Sequence, residues 1–136
     1  MRYILEFPPG QKLINANGRS SKYAVSASSR WGKKNVTADL RAMGCVLAKK
    51  AKIPHLDTVH VTVIYYPPDN RKRDSSNVLF FSSKAGLDGC TDAKIWSDDN
   101  DKVVRSLTFI PGDHVVKKGQ MVIIIEPEGG TGGDDN

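Results

Sequence analysis

Residues 71–77 read RKRDSSN and residues 96–101 read WSDDND, so a basic chain gathers carboxylates at two places within one short window. Cationic runs attract phosphate, whereas carboxylate clusters repel it. A divalent cation reconciles the two, because Mg²⁺ takes one or two carboxylates and fills its other positions with water and substrate phosphate. The chemistry open to such a set is phosphodiester hydrolysis, in which the ion activates water and neutralises charge on the phosphoryl group. Asp74, Asp98 and Asp99 are the acids in question. Each piece also has a plainer reading. WSDDND suits a polar loop before a strand, since Asp, Asn and Ser are good turn formers. It is no EF-hand loop, lacking the turn Gly and the closing Glu. The RKR run, likewise, is more often a solvated patch than a reader of anything. What joins the pieces is their order: cations, acid, helix, acids.

The helix between the two clusters is predicted from about Asn77 to Asp92. At about 100° per residue, Asn77, Phe81, Lys84, Asp88 and Thr91 share one face, and Leu79, Gly86, Leu87 and Cys90 another. The apolar set docks, leaving Lys84 and Asp88 pointing elsewhere together. Alone, that pair is an exposed ion pair worth a few tenths of a kcal/mol, roughly 0.3.

Other elements follow from periodicity. Residues 57–66 (DTVHVTVIYY) alternate as a strand with one buried face, stopped by Pro67 and Pro68. A first helix is expected from an N-cap at Asn35 to about Ile53, on Val36, Leu40, Met43, Leu47 and Ala51. YILEF at residues 3–7 is a short strand, and residues 11–34 read as a long loop. Residues 102–109 and 120–126 complete the strands, joined through Gly112 and Asp113 in a loose hairpin, with the apolar QMVIIIE as a central strand covered on both faces. The order β-α-β-α-β-β predicts a single α+β domain, a mixed sheet with two helices packed on it. That domain covers residues 1–126, and the acidic, Gly-rich residues 127–136 form a disordered tail.

Bulk properties fit. A chain of 136 residues makes one domain. Its 20 Lys and Arg face 15 Asp and Glu, four of which (Glu126, Glu128, Asp134, Asp135) lie in the last eleven residues, so the body is strongly basic. Such a body favours a polyanionic partner, although charge speaks of solubility as readily. Cys45 and Cys90 form no metal-ligand pattern and read as free thiols. No apolar run is long enough for a membrane span, and the first residues are too few for a signal peptide, which leaves the cytoplasm as the expected compartment.

The window resembles the RusA family of Holliday-junction resolvases, small endonucleases of bacteria, prophages and phages. The matching residues are Arg73-Asp74, Asn77 at the helix start, Lys84 within the helix, and Trp96-Ser97-Asp98-Asp99 after it, with KAGLDGCTDAKIWSDD at residues 84–99 in step throughout. FPPGQKLINANGR at residues 7–19 is more loosely similar to the loop after the family's first strand. The resemblance implies a homodimer that binds four-way DNA junctions and nicks two strands symmetrically with Mg²⁺ or Mn²⁺, without a nucleotide cofactor or membrane. It implies Asp74 and Asp99 as metal ligands with Asp98 in support, and Lys84 as the catalytic lysine. Arg71, Lys72, Arg73, Asn77, Arg30, Lys33 and Lys34 are the candidate DNA contacts. Trp31 either stacks on an opened base or plugs a loop. Two departures stand out. Ser76 occupies the place of the family's second acid, which Asp88, Asp101 or water would have to fill, and about one extra helical turn separates Asn77 from Lys84. The alternatives are a branched-DNA-binding protein weakened or silent in cleavage, and a less selective nuclease of flaps and forks.

Overall fold

The computed structural model describes residues 1–16, 18, 20–98 and 100–128. Strict alternation makes β4 (Val59–Tyr66), with Val59, Val61, Val63 and Tyr65 on its buried side. Strand β6 (Gln120–Pro127) lies antiparallel beside it, setting Met121, Ile123 and Ile125 opposite Tyr65, Val63 and Val61. On the far side of β6, β1 (Tyr3–Glu6) pairs antiparallel and puts Leu5 opposite Ile123. Strand β5 (Val104–Pro111) runs parallel to β4 at the sheet edge, giving the order β1-β6-β4-β5. The mixed sheet with two helices is the α+β architecture expected from the sequence.

The hairpin expected between β5 and β6 does not form. An apolar run such as MVIII gains most from a central position, and β6 takes the slot between β1 and β4, while the mostly exposed β5 goes to the edge. The connection instead folds back on β4, where Gly112 N–H donates to the Tyr65 carbonyl at 2.7 Å and Val116 N–H to that of Pro67 at 3.0 Å. Nor is β6 fully covered on both faces. Helices cover Met121, Ile123 and Ile125, whereas Ile124 and Gln120 face a shallow hollow shared with Arg2, Ile4, Glu6, Ile64, Tyr66 and His114.

Both helices, α1 (Arg30–Lys50) and α2 (Ser75–Asp92), lie on one face. Helix α1 starts five residues before the expected Asn35 cap, with Ser29 as N-cap through its backbone rather than its side chain. The expected loop over residues 11–34 is likewise structured. It holds β2 (Leu13–Asn15) and β3 (Ala24–Ser26), a short parallel pair. This ribbon is fastened to α2 by the buried Ser82 hydroxyl, which accepts from Ile14 N–H at 2.8 Å, and by Ala16 N–H donating to the Asn77 carbonyl at 2.7 Å.

The helices touch backbone to backbone where Gly44 meets Gly86 and Gly89 meets the Arg41 carbonyl. Arg41 then closes over the crossing, donating Nε and Nη2 to Asp92 at 2.6 and 2.8 Å, and this holds the Asp92 carboxyl below the usual carboxylate range. Order continues past residue 126. Pro127 ends β6, and Glu128 N–H donates to the Thr58 carbonyl at 2.9 Å while its carboxylate pairs with His60 Nε2 at 2.9 Å. The remainder of the expected tail, residues 129–136, lies outside the described residues. Among the described residues both cysteines are free thiols, and no helix is long and apolar enough to cross a membrane.

Candidate functional site

Strand β4 ends at Pro67 and Pro68, and a short extended segment then carries the chain to α2. Asp74 is the N-cap of that helix, with extended backbone angles (φ −97°, ψ 108°). Its Oδ1 accepts the Ser76 N–H at 3.0 Å and the Ser76 hydroxyl at 2.6 Å. The sequence folds this way because an Asp before a helix satisfies one of the backbone donors that the first turn leaves open. The exposed carboxylate borders two hollows. One is lined by Asn15, Gly18, Arg73, Asn77 and Val78, and the other by Arg73, Ser75, Ser76, Phe109 and Pro111. Ser76, which stands where a second acid is expected, thus contributes a neutral hydroxyl that orients Asp74.

The two arginines before Asp74 are held by a residue the motif does not include. Asp69 accepts from Arg71 through N–H (3.0 Å), Nε (3.2 Å) and Nη2 (3.0 Å), and from Arg73 Nη2 at 2.7 Å. Arg73 Nη1 also donates to the Asp69 carbonyl at 3.0 Å. The Arg71 hydrogen bonds first, then those of Arg73, hold the Asp69 carboxyl far below the usual carboxylate range. Arg71, Lys72 and Arg73 line a pocket of about 260 Å³ with Asn15, Ser21, Tyr23, Ala24, Tyr65, Pro68 and Val78. Burial pushes the Tyr65 phenol up, against the opposing pull of Arg73, so it stays a neutral hydroxyl at ordinary pH.

Along α2, Lys84 Nζ donates to Asp88 Oδ1 at 3.3 Å, so the predicted pair forms on the predicted face. Asp98 is exposed in the turn after α2, and its Oδ2 accepts from Asn100 Nδ2 at 3.4 Å. That turn is anchored at the far end of the helix. The Trp96 indole N–H donates to Thr91 Oγ1 at 2.8 Å, Ile95 N–H to the Cys90 carbonyl at 3.4 Å, and Leu56 N–H to the Ile95 carbonyl at 2.7 Å. Asp101 is exposed beside Asn100 and Lys102. The structure therefore brings Asp74, Asn77, Arg71 and Arg73 together, and sets Asp98 and Asp101 beyond the opposite end of α2. Asp99 lies outside the described residues. Among those described, no three His, Cys, Asp or Glu side chains converge as a metal-holding group.

The early start of α1 places Arg30, Trp31, Lys33 and Lys34 on one helical turn rather than in a loop. Trp31 is 67% exposed, with the Arg30 guanidinium and the Lys34 ammonium each 5.6 Å from its ring centre. It does not plug the core. Lys33 sits 4.2 Å above the Phe81 ring, which joins this basic turn to the Asn77, Phe81, Lys84 face of α2. Phe80 beside it is 57% exposed and meets Phe81 edge-on at 5.0 Å. Cations interleaved with exposed aromatic faces suit a strand of nucleic acid, which offers phosphates and bases alternately. With Arg30, Lys33, Lys34, Arg71, Lys72 and Arg73 on phosphates, the logarithm of DNA affinity is expected to fall with the logarithm of salt concentration at a slope of about −5 per protomer. Fluorescence anisotropy across a salt series measures it, and a flat response removes the footprint.

Sequence reasoning missed Asp69, Tyr23, Tyr65, Asn15 and Phe80. The available signal for Asp69 was its spacing, two before Arg71 and four before Arg73, which puts a carboxylate within reach of both in a bent segment. Phe80 was hidden because its helical stripe mixes Leu87 with the polar Ser76 and Lys84, so periodicity did not single it out. Set against known proteins, the chain matches no family model and no curated protein.

Proposed function

We propose that this protein is a metal-dependent endonuclease of the RusA kind that resolves four-way DNA junctions by paired nicks, acting as a homodimer. The observation that carries the reading is Asp74: an exposed carboxylate with one oxygen fixed by Ser76, set between two hollows and directly after an organised pair of arginines. A carboxylate so placed suits a hard divalent cation whose remaining positions go to water and phosphate. Mg²⁺ or Mn²⁺ bound there would polarise the phosphate and lower the pKa of a water. Arg71, Lys72 and Arg73 hold the DNA backbone in register beside Asp74. Lys84, half-way along the same helix, offers a positive charge to the phosphate as negative charge develops on it.

The spacing of the acids supports the dimer. Helix α2 has 18 residues, about 27 Å of rise, with Asp74 at its start and Asp98 beyond its end. A two-fold axis crossing α2 sets two copies antiparallel and brings the start of one to the end of the other. The reading therefore pairs Asp74 of one copy with Asp98 and Asp99 of the second. It yields two equivalent sites, as paired incision requires.

The test is cleavage of a synthetic four-way junction beside matched duplex and flap DNA, each with Mg²⁺, Mn²⁺ or EDTA. Paired nicks confined to the junction and lost in EDTA are expected. Equal cutting of flaps gives the less selective nuclease instead. Tight junction binding without nicks gives a binding protein, the reading that the neutral hydroxyl of Ser76 favours.

A further inference from the structure

The Asp69 carboxylate sits among the cations that DNA phosphate is expected to approach, and its charge opposes that approach. A negative group there is retained at an electrostatic cost unless it supplies something else. Its hydrogen bonds say what. Asp69 uses both oxygens and its carbonyl to hold two guanidiniums, Arg71 by Nε and Nη2 and Arg73 by both Nη atoms. An unrestrained arginine samples many rotamers and gives up much of that freedom on binding. A guanidinium already held loses less, and its unused N–H groups stay aimed in one direction. Arg71 keeps Nη1 free of Asp69, and Arg73 keeps Nε free of it.

Both arginines, so held, line the pocket of about 260 Å³ together with Lys72, Tyr23, Tyr65 and Asn15. Arg73 is well placed to act at both ends, because it also lines the two hollows beside Asp74. We propose that this pocket is a subsite for a DNA phosphate next to the one being cut, and that Asp69 is the positioning residue that shapes it. The proposal rests on the endonuclease reading for its ligand but not for its geometry. The ligand chemistry is a phosphodiester or phosphate monoanion, met by fixed guanidinium donors, one ammonium and neutral hydroxyl and amide groups.

The sign of the effect separates positioning from charge. Were Asp69 only a counter-charge, its removal would tighten every phosphate contact. As a positioning residue, Asp69→Ala leaves overall junction binding unchanged or tighter, yet lowers kcat for cleavage roughly tenfold because the scissile phosphate is no longer held in line. Asp69→Asn keeps the shape and one acceptor oxygen, and recovers part of that loss.

A second readout needs no turnover. In the full chain, the guanidinium N–H resonances of Arg71 and Arg73 are followed by NMR during titration with inorganic phosphate. The parent is expected to saturate, Asp69→Ala to require at least about fivefold more phosphate, and Asp57→Asn, an exposed carboxylate before β4, to match the parent. Saturation in the parent with no cutting of any DNA would sink the endonuclease reading and leave the subsite standing. Identical or tighter titration in Asp69→Ala overturns the subsite, whatever the protein does to junctions. Saturation by inorganic phosphate that a junction fails to displace makes it an anion site unrelated to DNA, and overturns the proposal too.

Discussion

If the protein resolves junctions as proposed, Asp74→Asn is expected to abolish cleavage of a four-way junction, by at least about 10³-fold, while junction affinity and thermal stability stay near those of the parent. The amide is the right replacement because the Asp74 side chain does two separable things. It caps α2 by accepting from Ser76 N–H, and it offers a charged oxygen to the site. Asn caps a helix about as well as Asp, whereas Ala would add about 1 kcal/mol of lost capping and blur the result. Asn removes only the charge, and on the proposed reading the several kcal/mol that a bound ion would supply to the transition state go with it. Unchanged turnover in a gel assay of nicked junctions takes Asp74 out of the site.

The same variant tests the shared-site reading. Asp74→Asn and Asp99→Asn are each expected to be silent alone. Mixed under conditions that allow subunit exchange, they form heterodimers in which one of the two sites keeps both acids and the other keeps neither. Single nicks return without paired nicks. A mixture that stays silent places both acids in one copy and removes the cross-dimer arrangement.

The second large effect falls on stability. Gly89→Ala is expected to lower stability by about 3 kcal/mol, a drop of roughly 10 °C in the thermal midpoint. A methyl at Gly89 would overlap the Arg41 carbonyl oxygen and stand 2.7 Å from Cys45 N. Both neighbours are backbone inside α1, so neither can rotate away. The helices must separate, which uncovers Leu40, Leu79 and Cys90 and pulls Arg41 from Asp92. Gly32→Ala is the matched control. There the nearest atom is Ser29 Oγ at 2.8 Å, the end of a side chain that can turn, and the change is neutral or slightly stabilising. Circular dichroism melts of both variants decide the matter, and equal midpoints would show that the helix crossing accepts a methyl at Gly89.

How far the residues announced this arrangement varies with the physics behind each element. Strand β4 was legible because one face is buried and the other is not, so VHVTVIYY alternates. Helix α2 was legible because one stripe docks and another stays wet. The start of α1 was not, since Arg30, Trp31, Lys33 and Lys34 project from the domain and no side chain caps the turn. Strands β2 and β3 have three residues each, too few for periodicity to show. The site divides in the same way. Asp74 was readable from its place before a helix. The separation of Asp74 and Asp98 was not, because the helix was expected to reach Asp92 but nothing in the sequence shows whether the turn after it folds back or is pinned there, as Trp96 pins it. Asp69, beside Pro67 and Pro68, drew no role from the sequence, and only its hydrogen bonds reveal its hold on Arg71 and Arg73.

The position of β6 has a consequence for how the chain is made. Synthesis runs from the amino end at about 5–20 residues per second, so β1 and β4 leave the ribosome long before β6, the strand that both of them pair with. Until Ile125 emerges, each shows an open edge lined with unpaired N–H and C=O groups. The helices and the β2–β3 ribbon can assemble meanwhile, since their contacts lie within residues 13–92. The order β1-β6-β4-β5 cannot be completed until β6 is available to pair with both neighbours. The nascent chain is therefore most exposed to aggregation in the interval between the emergence of β4 and that of β6.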